Sequence, residues 1–283
     1  MDFAGSSERT TAERLASQRV SARGALAVAR RHGRTRLDRL FQEGAAKIRM
    51  PRSDGEPLEA ILINTAGGMT GGDRLAWEID AGADTSVMVT TQASEKVYRA
   101  ASGQAEMAIR LSAEENGRLA WLPQETILFD RAAFSRRLDV ELAAGAQALI
   151  AEATVFGRGA MGERVERGIF RDRWHVVQAG RLVHAEAFAA GPDFHTTLGK
   201  RAVLAGAAAM ATVLLVAPDT DAWLDKVRDI VGERGGASAW SVGGTGKLLA
   251  RLYDDDGYSL RKRLVPLLGL LNGRADMPKC WSL

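Results

Sequence analysis

Four carboxylates lie at positions where an acid could have a structural or chemical role and not only keep the surface polar. Each lies in or beside a segment whose residue types predict burial or a tight turn: Asp73, Glu95, Glu125 and Glu163. An acid in such a place is most often a cap or an ion-pair partner, which is the simpler interpretation of each. The chemical alternative is a general acid–base pair made by Glu125 and Glu163, which requires a raised pKa in a cleft. No nucleophile elbow with a Ser, His and Asp set accompanies them, so covalent hydrolysis is not indicated.

Asp73 closes the most constrained segment of the chain. Residues 64–75 read Asn-Thr-Ala-Gly-Gly-Met-Thr-Gly-Gly-Asp-Arg-Leu and follow the apolar run 60–63. Glycine reaches positive φ and lets another backbone approach without a Cβ clash. Two glycine pairs so close together therefore predict a constrained loop between strands.

The strong ligands for transition metals are scattered along the sequence. The single cysteine, Cys280, excludes an intramolecular disulfide and fits a reducing cytosol. No histidine has another His or a Cys at ligand spacing, so a tight structural metal site is not predicted. The histidines are His32, His175, His184 and His195.

Two further glycine runs imitate nucleotide-binding motifs. Residues 157–162 match G-x-G-x-x-G, but the residues that follow alternate as a strand, whereas a dinucleotide site needs a helix there. Residues 243–248 imitate a phosphate loop but lack its first glycine and the Ser or Thr that should follow Lys247. Nucleotide hydrolysis by this chain is therefore not predicted.

Composition describes an ordinary globular protein of 283 residues with 46% hydrophobic residues and a net charge of +3. The first 52 residues hold more than twice as many basic as acidic residues. Without an aromatic platform or a zinc module, that excess does not indicate nucleic acid binding. The longest apolar stretch, 202–217, is interrupted and shorter than the roughly 20 residues that span a bilayer. Since the first 25 residues do not resemble a secretory signal, we expect a cytoplasmic protein.

Alternation with a period of two dominates residues 60–188 and predicts strands with one buried face. Turn signals separate the runs at Gly82, Asn116-Gly117, Gly145 and Gly180. No helix-length segment lies between these strands. The pattern therefore predicts a mainly β fold, built as an extended antiparallel assembly of hairpins in series.

After residue 191 the pattern becomes mixed. It predicts a strand over 211–216, a helix over 220–233, strands near 239–242 and 248–253, and a helix over 258–271. The C-terminal portion is therefore a β-α-β-β-α unit with two helices. We expect residues 1–25 to form a disordered basic N-terminus. Residues 26–283 are expected to form a single domain around one core, β-rich over 26–190 and mixed over 191–283.

Several of these segments, in this order, resemble motifs of the urease accessory protein family UreD, also called UreH. Besides the glycine loop, they are Gly33-Arg34-Thr35 and residues 90–98, 122–129, 156–163, 261–266 and 278–281. The resemblance covers most of the chain but not its first 25 residues. Cys280 stands where relatives commonly have an aliphatic residue, which argues against a thiol-dependent role.

The resemblance implies a non-enzymatic maturation factor. UreD proteins act with UreF and the GTPase UreG on the apo-urease subunits, and UreE supplies the nickel. The fold implied is mostly antiparallel β, with an internal passage that has been proposed as the nickel route. No cofactor is expected to stay bound, because nickel is transient cargo.

Carboxylates suit such a route, because clusters of imidazole and thiolate would retain nickel while acids attract a divalent cation more loosely. We expect Asp73 and Glu163 to line the path, since both end glycine-rich turns, with Glu95 and Glu125 as weaker candidates. Two alternatives stay open, namely a metal-free scaffold that only remodels urease and a small-molecule enzyme with a Glu pair. We also expect the apolar helix around 264–268 to leave an apolar face that UreF covers.

Overall fold

The computed structural model describes residues 19–52, 55–159, 162–273 and 275–281. Most of the predicted N-terminal segment, residues 1–18, and the motif residues Ala160 and Met161 lie outside the described residues. The first strand begins at Ser21, so residues 21–25 are strand and the prediction of disorder extends too far.

The described chain is mainly β, as the sequence predicts. The strands are β1 (Ser21–Arg31), β2 (Arg34–Glu43), β3 (Ala46–Arg49), β4 (Leu58–Asn64), β5 (Arg74–Ala81), β6 (Ser86–Thr91), β7 (Glu95–Val97), β8 (Ala105–Ala113), β9 (Arg118–Trp121), β10 (Thr126–Leu128), β11 (Ala133–Leu142), β12 (Gln147–Phe156), β13 (Ile169–Gln178), β14 (Arg181–Ala190), β15 (Ala209–Val216), β16 (Gly235–Val242) and β17 (Thr245–Asp254). The helices are α1 (Phe194–Gly199), α2 (Leu224–Val231) and α3 (Gly257–Leu271), with 3-10 turns at Thr220–Trp223 and Lys279–Trp281.

Two sheets face each other across the core. The first has the order β14-β13-β11-β8-β5-β1-β2, and the second has the order β16-β17-β15-β12-β9-β6-β4-β3. The short strands β7 and β10 pair with each other, and β10 also pairs with β12.

The chain alternates between the sheets, which corrects the prediction of antiparallel hairpins in series. Strands β5, β8, β11 and β13 are parallel neighbours in the first sheet. Strands β4, β6, β9 and β12, which alternate with them along the chain, are parallel neighbours in the second. In the middle of the fold the chain thus winds back and forth between two parallel sheets. Antiparallel pairs occur toward the sheet ends.

The physical reason for the error lies in what alternation reports. A period of two shows which face of a strand is buried and says nothing about the direction of its neighbours. The turns at Gly82, Asn116-Gly117 and Gly145 carry the chain from one sheet to the other instead of folding a strand back on itself. Only the turn at Gly180, among these four, joins an antiparallel pair, β13 and β14.

The predicted C-terminal β-α-β-β-α unit is confirmed, and its strands β15 to β17 extend the second sheet beyond β12. Helices α2 and α3 cover the outer face of that sheet. They form an apolar cluster with it, separate from the cluster between the sheets. The second sheet therefore divides the interior into two apolar layers, not one shared core.

Helix α3 buries its apolar side against the second sheet. Its buried residues are Leu260, Leu264, Leu267, Leu268 and Leu271. The sheet covers the face that carries Leu264, Leu267 and Leu268, so the expectation that these leucines are exposed is wrong, and contact of the helix with UreF stays a prediction. The same packing buries β12 on both sides, which explains its nearly continuous apolar sequence.

Candidate functional site

A cavity of about 170 Å³ lies between the two sheets. Trp77 and Arg136 of the first sheet and Glu152 of the second contribute to its wall. Much of the remaining wall comes from the loops around residues 64–68 and 91–96. Residues 123, 124 and 126 also line it, so three of the motif segments recognised in the sequence meet at this cavity.

Glu95 is the one predicted site acid that lines the cavity. Asn64 donates from Nδ2 to both of its carboxylate oxygens, at 3.1 and 3.3 Å. Burial raises the pKa of Glu95 to about 7, against a smaller lowering by the Asn64 hydrogen bond. Near neutral pH this carboxyl group is therefore poised between its charged and neutral forms.

The glycine loop packs directly on β7, the short strand that begins at Glu95. Met69 N donates to Lys96 O at 2.7 Å, and Tyr98 N donates to Met69 O at 2.8 Å. Gly68 has φ +144°, and a Cβ there would lie 2.4 Å from the Tyr98 ring and 2.7 Å from Lys96 O. Only glycine fits this close approach, so the predicted constrained loop helps to fix the position of Glu95.

A buried charge cluster forms another part of the cavity wall. Arg136 donates from Nε and Nη2 to the two oxygens of Asp172, at 3.1 and 2.5 Å. Its Nη1 donates to Glu152, which also accepts from Trp121 Nε1 at 2.8 Å. The side chains of Arg136 and Glu152 are only 2% and 3% exposed, so water screens this cluster very little.

Two carboxylates share one guanidinium in this cluster. Since Asp172 takes the bidentate contact, Glu152 carries the negative charge that Arg136 leaves uncompensated. Burial raises the pKa of Glu152 to about 7, although Arg136 acts in the opposite direction. An excess carboxylate beside a cavity holds a proton or attracts another cation.

Polar side chains continue from Glu152 to the edge of the first sheet. Glu152 of β12 is the register partner of Thr212 in β15, and Thr212 is the partner of Arg251 in β17. Across the core, Glu186 of β14 accepts from Thr212 Oγ1 at 3.5 Å and lies 3.0 Å from Arg251 Nη2. A polar line, which we define by Glu95, Glu152, Thr212 and Glu186, therefore crosses a largely apolar core.

Asp73 is buried but does not line the cavity. Its Oδ1 accepts from Val20 N at 2.9 Å, and its Oδ2 accepts from Thr70 N at 2.8 Å. Each carboxylate oxygen thus accepts a hydrogen bond from a backbone N–H group, one within the glycine loop and one just before β1. Asp73 is therefore a capping residue, which is the simpler interpretation of an acid at the end of a glycine-rich turn.

Glu125 and Glu163 also lie outside the cavity wall and pair with different arginines. Arg261 of α3 donates to Glu125 at 2.9 Å, and Arg158 donates to Glu163 at 2.6 Å. Because each acid is held by its own arginine, the structure does not assemble them into an acid–base pair.

The comparison with known proteins decides the family. The sequence model described as UreD urease accessory protein matches residues 20–282 of this chain. The chain belongs to the UreD family. A protein named urease accessory protein UreD from Mesorhizobium japonicum is 63% identical over 267 residues, which cover 94% of this chain and 95% of that protein. Proteins named urease accessory protein UreD 1 from Brucella anthropi and Brucella abortus are 55% and 56% identical, over 95% of this chain and 96% of their own.

The sequence motifs indicate the UreD family, but none of them contains Arg136, Glu152 or Asp172. A signal for all three was present in the alternation. Arg136 stands in the same phase as the inward-facing Phe134 and Leu138 of β11, and Asp172 stands in the core phase of β13. Glu152 interrupts an otherwise apolar β12. The sequence signal was a charged residue at a position of a strand whose neighbours on the same face are apolar and buried.

The other candidate motifs find no chemical role in this UreD chain. Among the described residues, no three His, Cys, Asp or Glu side chains are grouped so as to hold a metal ion. Lys247, which imitates a phosphate-loop lysine, is buried in β17 and donates to Val183 O. No helix in the described part of the chain has the length and apolarity needed to cross a membrane.

Proposed function

We propose that this protein is a urease maturation factor that enables nickel insertion into apo-urease, acting with UreF and UreG and receiving nickel that UreE supplies. Membership of a family described as urease accessory proteins supports the connection with urease. The protein works as a chaperone and scaffold, not as an enzyme, and its single cysteine suits work in the cytoplasm.

The observation that carries the nickel part of this proposal is the polar line through the core. Burying ionisable groups costs free energy unless they are paired, and apolar residues at the same positions would pack at lower cost. Glu152 is nevertheless buried with more negative charge around it than one arginine can balance. A line of this kind is expected where a cation must enter a protein interior and leave it again.

The path proposed here uses Glu95 and Glu152, which both line the cavity. Oxygen ligands hold nickel less tightly than clusters of imidazole and thiolate, so the ion is passed on and not stored. Asp73, Glu125 and Glu163 support the path indirectly, by fixing the loops and the C-terminal helix around it.

The experiment that tests this function is deletion of the gene in a host that makes urease, followed by restoration. Urease should accumulate to a normal level in the deletion strain but contain little nickel and show little activity. Restoring the gene should return both. Urease with normal nickel content and specific activity in the deletion strain would reject the proposal.

A further inference from the structure

Two potential metal ligands lie side by side at the far end of the polar line. His184 and Glu186 are two residues apart in β14, so their side chains leave the same face of the strand. That face looks into the core, because the two side chains are only 5% and 13% exposed. The other three histidines, His32, His175 and His195, are exposed.

One ring nitrogen of His184 and one carboxylate oxygen of Glu186 have no hydrogen bond in the described part of the chain. His184 Nε2 and Glu186 Oε2 are buried, and neither makes a hydrogen bond to any residue in the described ranges. The two atoms are 3.5 Å apart. Arg251 Nη2 lies 3.0 Å from the same carboxylate oxygen as an ion-pair partner, and Arg251 Nε donates to the other oxygen, Oε1, at 3.4 Å. Buried polar atoms of this kind are rare and call for an explanation.

We infer that His184 Nε2 and Glu186 Oε2 are the two protein ligands of a weak site for a first-row divalent cation. Metal bonds to imidazole nitrogen and carboxylate oxygen are roughly 2.0 to 2.2 Å long. Two such ligands at a tetrahedral angle stand about 3.4 Å apart, close to the 3.5 Å between these atoms. Imidazole with carboxylate is a donor set that suits zinc, cobalt and nickel.

The groups around the pair decide how tightly a cation binds. The Arg251 guanidinium, 3.0 Å from Glu186 Oε2, favours the ionised form of the carboxylate, which is the form that a cation binds. Trp174 makes an edge contact with the His184 ring, with the ring centres 6.3 Å apart, and Thr212 Oγ1 donates to the other carboxylate oxygen at 3.5 Å. Water would complete the coordination, since two protein ligands do not fill it.

Arg251 competes with the cation for the same carboxylate oxygen. Its side chain is 59% exposed, so it can turn toward solvent when a cation arrives. The site therefore binds reversibly, and removing the arginine charge should strengthen binding. If the proposed nickel path is correct, this site is a holding point at its end, and that role rests on the proposed function. The affinity for a cation does not rest on it.

The test titrates the full-length protein with Co²⁺, followed by its visible absorption, and with Ni²⁺ by equilibrium dialysis. His184→Gln should weaken binding of both ions at least 10-fold. The matched control is His175→Gln, because His175 is an exposed histidine on the adjacent strand β13 and should not contribute. Arg251→Gln should tighten binding several-fold, whereas a purely structural arginine would leave the affinity unchanged or lower it.

The results separate this site from the proposed function. Unchanged affinity in His184→Gln, or binding by Arg251→Gln that is no tighter than in the parent, would reject the site. Either result would leave the urease experiment above unaffected. Conversely, normal nickel loading of urease in the deletion strain would remove the biological role but not the measured affinity.

Discussion

Asn64 donates from a single amide nitrogen to both carboxylate oxygens of Glu95, at 3.1 and 3.3 Å, and so links the end of β4 to the start of β7. The donor is neutral, so it orients the carboxylate without compensating its charge. Glu152, by contrast, has a guanidinium beside it. The two acids of the proposed path are therefore held by different means.

The pKa of Glu95 predicts a pH dependence of stability in the metal-free protein. The folded protein keeps this proton up to about pH 7, whereas the ordinary value is 4.5. Between these values the folded state binds the extra proton, so the free energy of unfolding falls as pH rises, by about 3 kcal/mol at most. Glu95→Gln should therefore gain stability relative to the parent at pH 8 but not at pH 4, as measured by denaturant unfolding. The same difference at both pH values would contradict this account.

Two adjacent glycines provide a matched test of the glycine loop. Gly68→Ala places a methyl group against the Tyr98 ring and Lys96 O, whereas Gly67, at φ +75°, has nothing within 4 Å of its Cβ position. Gly67→Ala should therefore cost about 1 kcal/mol for the backbone conformation alone, and Gly68→Ala should cost more than about 3 kcal/mol. Thermal or denaturant unfolding measures both. Similar losses would show that the Tyr98 loop moves aside.

Arg261 is expected to stabilise the C-terminal region more than an ordinary surface arginine. It donates to Glu125, Gln124 Oε1 and Cys280 O, and its guanidinium lies 4.7 Å from the Trp281 ring centre. Lysine keeps the charge but loses the forked, planar geometry. Arg261→Lys should therefore lower the free energy of unfolding by about 2 kcal/mol.

The control for Arg261→Lys is Arg158→Lys, which alters the pair with Glu163. Arg158 also lies over the Phe129 ring, at 4.4 Å, but it is 45% exposed and has no further buried acceptors among the described residues, so this change should cost less than about 1 kcal/mol. Equal losses in the two variants would argue against Glu125 as part of a buried clamp.

Much of the fold was accessible from the sequence because burial leaves a periodic trace. Alternation revealed the strands, and the mixed pattern after residue 191 revealed the C-terminal helices and strands. The order of the strands in the two sheets could not be predicted from the sequence. A turn such as Asn116-Gly117 is compatible with a hairpin and with a crossing between sheets, and only the packing of distant residues selects the crossing.

The site was predictable only in part for a related reason. Glu95 was named from its motif alone, as a weaker candidate, and the structure places it in the cavity wall. Asp73 and Glu163 were favoured because they end glycine-rich turns, yet such turns also need caps and ion pairs. Glu152 and Asp172 come together only when β12 and β13 lie in opposite sheets, and no local pattern encodes that pairing.

The most direct test of the internal nickel path is the nickel content of urease matured in the presence of Glu152→Gln. Glutamine preserves the shape, and Arg136 keeps its bidentate partner Asp172, so the fold should survive. Glu166→Gln, an exposed acid in the loop before β13, is the control. With equal amounts of the assembled maturation complex, we expect several-fold less nickel per urease active site for Glu152→Gln and a normal content for the control. Normal nickel content with Glu152→Gln would contradict the path and favour a metal-free scaffold.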